Sequence, residues 1–168
     1  EDEIIAKGMD LIEDVTGETP VGHRASWWEY SDNTADLVEK YDFLYDSSLM
    51  ESEFEPGFMR KGDSWKKIRY DQEPETWMEP YEFGEETDVV EIPISWYRDD
   101  IPPMMFIKQP NYNMGYASPR MIYDDLYFAQ FDFLYNRRGA GVYTLTIHPD
   151  VHGKPHMIPL LEEFIQYV

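Results

Sequence analysis

The chain contains no cysteine. That excludes a disulfide framework, a thiolate metal site and a thiol nucleophile. With no thiol to mark an oxidising compartment and no signal-peptide pattern at its start, the sequence reads as cytoplasmic. Basic residues are scarce: 14 Lys plus Arg stand against 34 Asp plus Glu, a formal net charge of −20 over 168 residues. A field of that sign repels phosphate backbones and anionic headgroups, so neither nucleic acid nor a membrane surface is an expected partner. No apolar run approaches the ~20 residues that span a bilayer. A Gly-rich phosphate loop, a Gly-x-Ser-x-Gly elbow and a His-Glu-x-x-His helix are missing as well. What is present excludes disorder: five Trp, thirteen Tyr and nine Phe accompany 42% apolar residues.

The chain opens with Glu1 directly in a helical pattern, as a processed product or a fragment would. Ile4, Ile5, Met9, Leu11, Ile12 and Val15 form the apolar stripe, and Gly17 is placed to stop the helix. A short strand is expected over Thr19 to Arg24. A helix capped by Ser31 or Asn33 then runs to about Tyr41, and a second strand covers Phe43 to Tyr45. Residues 51–87 show no period and read as an irregular insertion. Val89 to Trp96 reads as a strand whose Pro93 marks an end or a bulge. Tyr97 to Ala117 is irregular. A long helix is expected from about Ser118 to Arg138, with Pro119 at its first position and Gly139 as its stop. Val142 to Ile147 has the continuous apolar character of a strand buried on both faces, and an amphipathic helix closes the chain near Pro159 to Val168. This alternation predicts an α/β fold with parallel strands and helical crossovers.

In such folds functional groups gather past the carboxyl ends of the strands. Four exits carry them: His23-Arg24 with Trp27-Trp28, Asp46-Ser47-Ser48, Trp96 with Asp99-Asp100, and His148-Pro149-Asp150. Each has a plainer reading. Asp46-Ser47-Ser48 is also an ordinary turn or cap, and Asp99-Asp100 is also a solvated acidic loop. His148, His152 and His156 recur every four residues, a metal-ligand spacing on a helix. Pro149, Gly153 and Pro155 interrupt that face, so no metal ligand is assigned in this chain. His148 ends an apolar strand and is the candidate general acid or base. A histidine held by a structural hydrogen bond is the alternative.

These four motifs resemble those of the polysaccharide deacetylase family, the NodB-homology fold, in its branch of allantoinase-like, cyclic-imidase-like and peptidoglycan-deacetylase-like members. Gly22-His23-Arg24-Ala25-Ser26-Trp27-Trp28 is similar to the family's Gly-Tyr-Arg-Ala-Pro-x-Trp, with Ser26 in place of Pro. Tyr45-Asp46-Ser47-Ser48-Leu49 is similar to Tyr-Asp-Ser-Ser-Leu, and Trp96-Tyr97-Arg98-Asp99-Asp100 to Trp-x-x-Asp-Asp. Leu145 to Pro149 and Gly153-Lys154-Pro155 resemble the closing Leu-His-Pro and Gly-Arg-Pro elements.

The resemblance implies a deformed (β/α) barrel of which residues 1–168 are the C-terminal half. It implies a hydrolase of non-peptide C–N bonds: an N-acetyl sugar deacetylase, or a hydrolase of cyclic imides or ureides. His148 would be the acid towards the leaving amine, Arg24 would hold the catalytic aspartate, and Asp99 or Asp100 would tune His148. Trp27, Trp96 and Asp46 would contact substrate. The family's Thr-Phe-Asp-Asp-Gly and His-[Ser/Thr]-x-x-x-His motifs do not occur here. The base and the ligands of a divalent metal, zinc by this resemblance, would therefore come mainly from an N-terminal half on a second chain. The other implied partners are a small-molecule or sugar amide and further copies in a homo-oligomer. The competing reading is a non-catalytic carbohydrate-binding or interaction module on a remnant of the same fold.

Overall fold

The computed structural model describes residues 1–64, 68–77, 80–104 and 118–168. The chain divides into two compact units, Glu1–Leu49 with Gly57–Ile92, and Met50–Pro56 with Pro93–Val168.

The first unit is a four-stranded sheet with two helices. Helix α1, Asp2–Thr16, follows the predicted stripe and ends on Gly17 at φ +77°, a left-handed cap that glycine adopts without a Cβ clash. Helix α2, Thr34–Lys40, crosses between strands β1 (Gly22–His23) and β2 (Tyr45–Asp46). Strands β3 (Gly57–Lys61) and β4 (Glu85–Glu91) complete the sheet in the order β1-β2-β4-β3. β1, β2 and β4 are parallel, as expected, but β3 runs antiparallel to β4 at the edge. That hairpin occupies the segment read as an insertion, whose residues 65–67 and 78–79 lie outside the described residues. β4 starts earlier than the sequence suggested and stops at Glu91, because Pro93 has no N–H for the ladder. Gly22 lets β1 approach its neighbour: a Cβ there would meet the Tyr45 ring at 2.1 Å. Ile5, Ala35, Val38, Phe43, Met59 and Val89 form the core. Of the α1 stripe only Ile5 is buried, while Ile4 and Val15 are 76% and 86% exposed.

The second unit is helical. A 3₁₀ turn, Trp96–Arg98, leads into α3 (Ile101–Met104); residues 105–117, most of the stretch expected to be irregular, lie outside the described residues. The long predicted helix is continuous over 119–138 (α4), with Pro119 in its first turn and Gly139 at φ +75° as its stop. It contains two π-turns, Tyr123–Phe128 and Leu134–Arg138. α5 (Pro149–His152) and α6 (Ile158–Tyr167) follow. The core is Met104, Tyr123, Tyr127, Val151, Met157 and Phe164.

The buried strand expected over 142–147 does not form. The segment is extended and half-buried, with a single parallel bridge from Thr146 to Asp99. Its would-be partner is broken by Pro93 and by the 3₁₀ turn, so the backbone groups are met singly. Thr146 N donates to Arg98 O at 2.8 Å, and Val142 N donates to Phe54 O at 2.8 Å. Among the described residues no helix is long and apolar enough to cross a membrane.

Candidate active site

In the second unit, the carboxylate of Asp100 is fully buried and holds two histidines. Its Oδ1 lies 2.6 Å from His148 Nδ1, and its Oδ2 accepts from the His148 backbone N–H at 2.9 Å. Oδ2 also accepts from His152 Nδ1. His152 is buried, and its Nε2 lies 2.7 Å from the hydroxyl of Tyr123 on α4. Burial by itself would raise the Asp100 pKa, but the hydrogen bonds from His152 and from His148 outweigh it and hold Asp100 below the usual carboxylate range. The Tyr123 hydroxyl is pushed up by burial and then by the Asp100 charge, so it stays neutral.

The sequence makes this cluster locally. Pro149 sits in the first turn of α5, where its fixed φ suits a helix and its missing N–H is not needed. One turn of helix then carries His152 back to the carboxylate that holds His148. The interrupted helical face expected over 148–156 is thus long enough to pair two histidines, while His156 is exposed. His152 stands out in the sequence only as a member of the interrupted His148, His152, His156 spacing, and that four-residue spacing is its signal.

Asp99 is buried beside this cluster, and its Oδ1 accepts from Ile101 N at 2.7 Å, capping α3. Arg98, not singled out from the sequence, is fully buried and anchors the turn. Its guanidinium donates to Glu53 O at 2.6 Å, Glu53 Oε2 at 3.0 Å, Gln130 Oε1 at 3.0 Å and Thr144 O at 3.2 Å, over the Phe54 ring. Trp96 is 45% exposed at the start of the same turn.

Asp99, Asp100 and His148 are the one group of metal-ligating type among the described residues, with ligand atoms within 4.8 Å of one another. A catalytic transition-metal centre needs three protein ligands and an open position. Here both oxygens of Asp100 are already committed to imidazoles, and one oxygen of Asp99 caps a helix. The trio does not fit a metal by itself. His148 Nε2 is the atom left over, on a side chain 35% exposed.

In the first unit, the exits of β1, β2 and β4 are knitted together. Arg24 Nε donates to Ser47 O at 3.0 Å and Nη2 to Ser47 Oγ at 2.8 Å. Ser47 Oγ donates to Ile92 O at 2.9 Å, and Ala25 N donates to Ser48 Oγ at 2.8 Å. Asp46-Ser47-Ser48 is therefore a three-strand latch. His23, Asp46 and Glu91 occupy one register row across the three parallel strands. Asp46, fully buried, places Oδ1 at 2.6 Å from His23 Nδ1. Glu91 Oε1 accepts from Ser48 N at 3.0 Å and from Leu49 N at 2.9 Å. Burial first, then the charge of Asp46, pushes the Glu91 carboxyl up to about 8.

A cavity of about 570 Å³ in this unit is lined by His23, Arg24, Ser26 and the α1 residues Ile5 and Met9, among others. Trp27 is not in its wall; that side chain is 70% exposed, and Trp27 and Trp28 take left-handed φ values of +57° and +58°.

No family model matches the chain. Over all 168 residues it is 44% identical to a peptidoglycan deacetylase of Helicobacter pylori, of which it covers 57%. It is 31% identical to a peptidoglycan deacetylase-like protein of Gibberella zeae, of which it covers 51%. A crystal structure described as a polysaccharide deacetylase, from Mycobacterium smegmatis, superposes with a TM-score of 0.73 at 29% identity, over 99% of this chain and 49% of that one. Puue allantoinase shares the fold, with a TM-score of 0.67 at 19% identity over 46% of its length. The chain spans about half the length of the curated relatives it matches.

Proposed function

We propose that this chain, a member of the polysaccharide deacetylase family, is part of a hydrolase of non-peptide C–N bonds that removes acetyl groups from an N-acetylated sugar polymer of the peptidoglycan class. The observation that carries the reading is the grip of Asp100 on His148. When water adds to an amide carbonyl, the C–N bond breaks only if the leaving nitrogen gains a proton. Asp100 takes the Nδ1–H and the backbone N–H of His148, which fixes the ring and leaves Nε2 as the atom that carries the transferable proton. His152, tied to the same carboxylate and to Tyr123, keeps Asp100 from turning away. Trp27 and Trp96 offer the exposed aromatic faces on which sugar rings stack.

Arg24, latched by Ser47, is assigned to orient the catalytic base, which together with the ligands of a divalent metal, zinc in this reading, comes from the N-terminal half. That half would complete the barrel beside β1, which has no further strand on its outer side among the described residues.

Acetate release from N-acetylglucosamine oligomers by the assembled protein tests the reading. His148→Ala should lower kcat by about 10²- to 10⁴-fold with little change in KM. Undiminished turnover refutes the role of His148. Binding of the oligomers without any acetate release favours the non-catalytic module instead.

A further inference from the structure

Asp46 Oδ2 and Glu91 Oε2 are buried side-chain oxygens with no hydrogen-bond partner when both groups are counted as carboxylates. Two such orphans in a sheet interior would be costly, since each lost partner leaves its desolvation uncompensated. They are adjacent in the register row and hydrogen-bonded to each other once one of them carries a proton. Glu91 is the one that carries it. Its Oε1 is saturated by the Ser48 and Leu49 N–H groups, so the proton sits on Oε2 and is donated to Asp46. Asp46 then accepts on both sides: from Glu91 through Oδ2, and from His23 through Oδ1 at 2.6 Å. An acceptor at that distance requires the hydrogen on His23 Nδ1. In the neutral ring, Nε2 is left as a bare acceptor.

His23 stands at the carboxyl end of β1 and lines the 570 Å³ cavity, and its Nε2 has no hydrogen-bond partner among the described residues. A cavity of that size takes a small ligand. At this position the resembling motif carries Tyr, whose hydroxyl can donate; His23 in this tautomer can only accept.

We propose that His23 is a ligand-contacting residue, its Nε2 accepting a hydrogen bond from a hydroxyl or amide N–H of the sugar, with Asp46 and Glu91 as the positioning pair that fixes its tautomer. The sugar as ligand rests on the deacetylase reading above; the tautomer does not. Glu91→Gln should preserve it, because the amide keeps one acceptor for Ser48 and Leu49 and one donor for Asp46. Asp46→Asn should release it.

The test is ring-nitrogen NMR on the assembled protein with labelled histidine confined to this chain, His23 being identified by the signal lost in His23→Gln. The expected result is a protonated Nδ1 and bare Nε2 in the wild type and in Glu91→Gln, with Nε2 moving on titration with N-acetylglucosamine oligomers. His23→Gln should weaken that binding tenfold or more. A wild-type His23 protonated on Nε2 overturns the proposal, as does binding unchanged in His23→Gln. In the second case the deacetylase reading stands. If the wild type binds no oligomer, both fall. Should Asp46→Asn fail to fold, Glu91→Gln still decides, since loss of the tautomer there refutes the relay.

Discussion

Asp100 and His148 are joined twice, ring Nδ1 to Oδ1 at 2.6 Å and backbone N–H to Oδ2 at 2.9 Å. A side chain held through both its ring and its own backbone has one orientation, which a proton donor aimed at a single leaving atom needs. The second histidine on the same carboxylate means that Asp100 also carries structure. Asp100→Asn should therefore lose on both counts: turnover falls on the order of 10²-fold, and stability falls by about 2–4 kcal/mol because buried His152 and half-buried His148 lose an anionic acceptor.

The pH dependence gives that prediction a sign. The pKa of Asp100 is lowered on folding from its ordinary 3.8. The folded state thus binds the proton less well than the unfolded one. The stabilisation is complete above about pH 4 and is lost as the pH falls through the folded value. Denaturation midpoints of wild type and Asp100→Asn, measured from pH 6 downward, should differ most at the upper end and converge in acid. A gap that widens in acid contradicts the ionised carboxylate.

Glu91 has the opposite sign. Its pKa is raised from 4.5 to about 8 by burial and by Asp46. Between those values the unfolded chain has released a proton that the folded chain retains, so stability falls as the pH rises across that window and levels off above it. Glu91→Gln imitates the protonated acid and should flatten this slope while leaving stability near pH 5 almost unchanged. Chemical denaturation at pH 5 and pH 9 reads both quantities. An equally steep slope in Glu91→Gln would assign the proton elsewhere.

Much of the two candidate clusters, one in each unit, was legible in the sequence, because His23-Arg24 and Asp46-Ser47-Ser48 in the first, and Asp99-Asp100 and His148 in the second, all sit where strands or extended segments end. Glu91 was not, being one acid among 34 acidic residues; only strand register sets it beside Asp46. The apolar run 142–147 was misjudged for a related reason. Apolar content specifies burial, whereas a strand also needs an unbroken neighbour, and Pro93 with the Trp96–Arg98 turn denies it one. The antiparallel β3–β4 hairpin was hidden because its outer positions are acidic, Gly or exposed, which erases the alternation that marks a half-buried strand.

Arg98 fills an unspecified position of the Trp-x-x-Asp-Asp pattern, and four hydrogen bonds from its guanidinium anchor the turn. Its partner Glu53 is 63% exposed, so the ion pair itself contributes little. The bonds to Glu53 O and Thr144 O and the stacking on Phe54 matter more. Arg98→Met should cost about 2–4 kcal/mol by orphaning two backbone carbonyls beside the Trp96–Arg98 turn. Arg98→Lys should recover little of it, because a single ammonium cannot reproduce a planar fork. Thermal unfolding of the two variants separates these contributions: near-complete rescue by Lys would show that charge, not geometry, holds the turn.

At Trp27 stability and binding should move apart. Its backbone is left-handed at φ +57°, a region that costs a residue with a Cβ roughly 1–2 kcal/mol, and its side chain is 70% exposed, so little burial offsets the strain. Glycine removes the strain but adds about 0.5–1 kcal/mol of unfolded-state entropy. Trp27→Gly should thus be as stable as the wild type or up to about 1.5 kcal/mol more so. It should also bind N-acetylglucosamine oligomers more weakly by the loss of one stacking face. A strained, exposed aromatic that persists at no benefit to the fold is the pattern of a binding residue. A large loss of stability, or unchanged binding, would return Trp27 to a purely structural role.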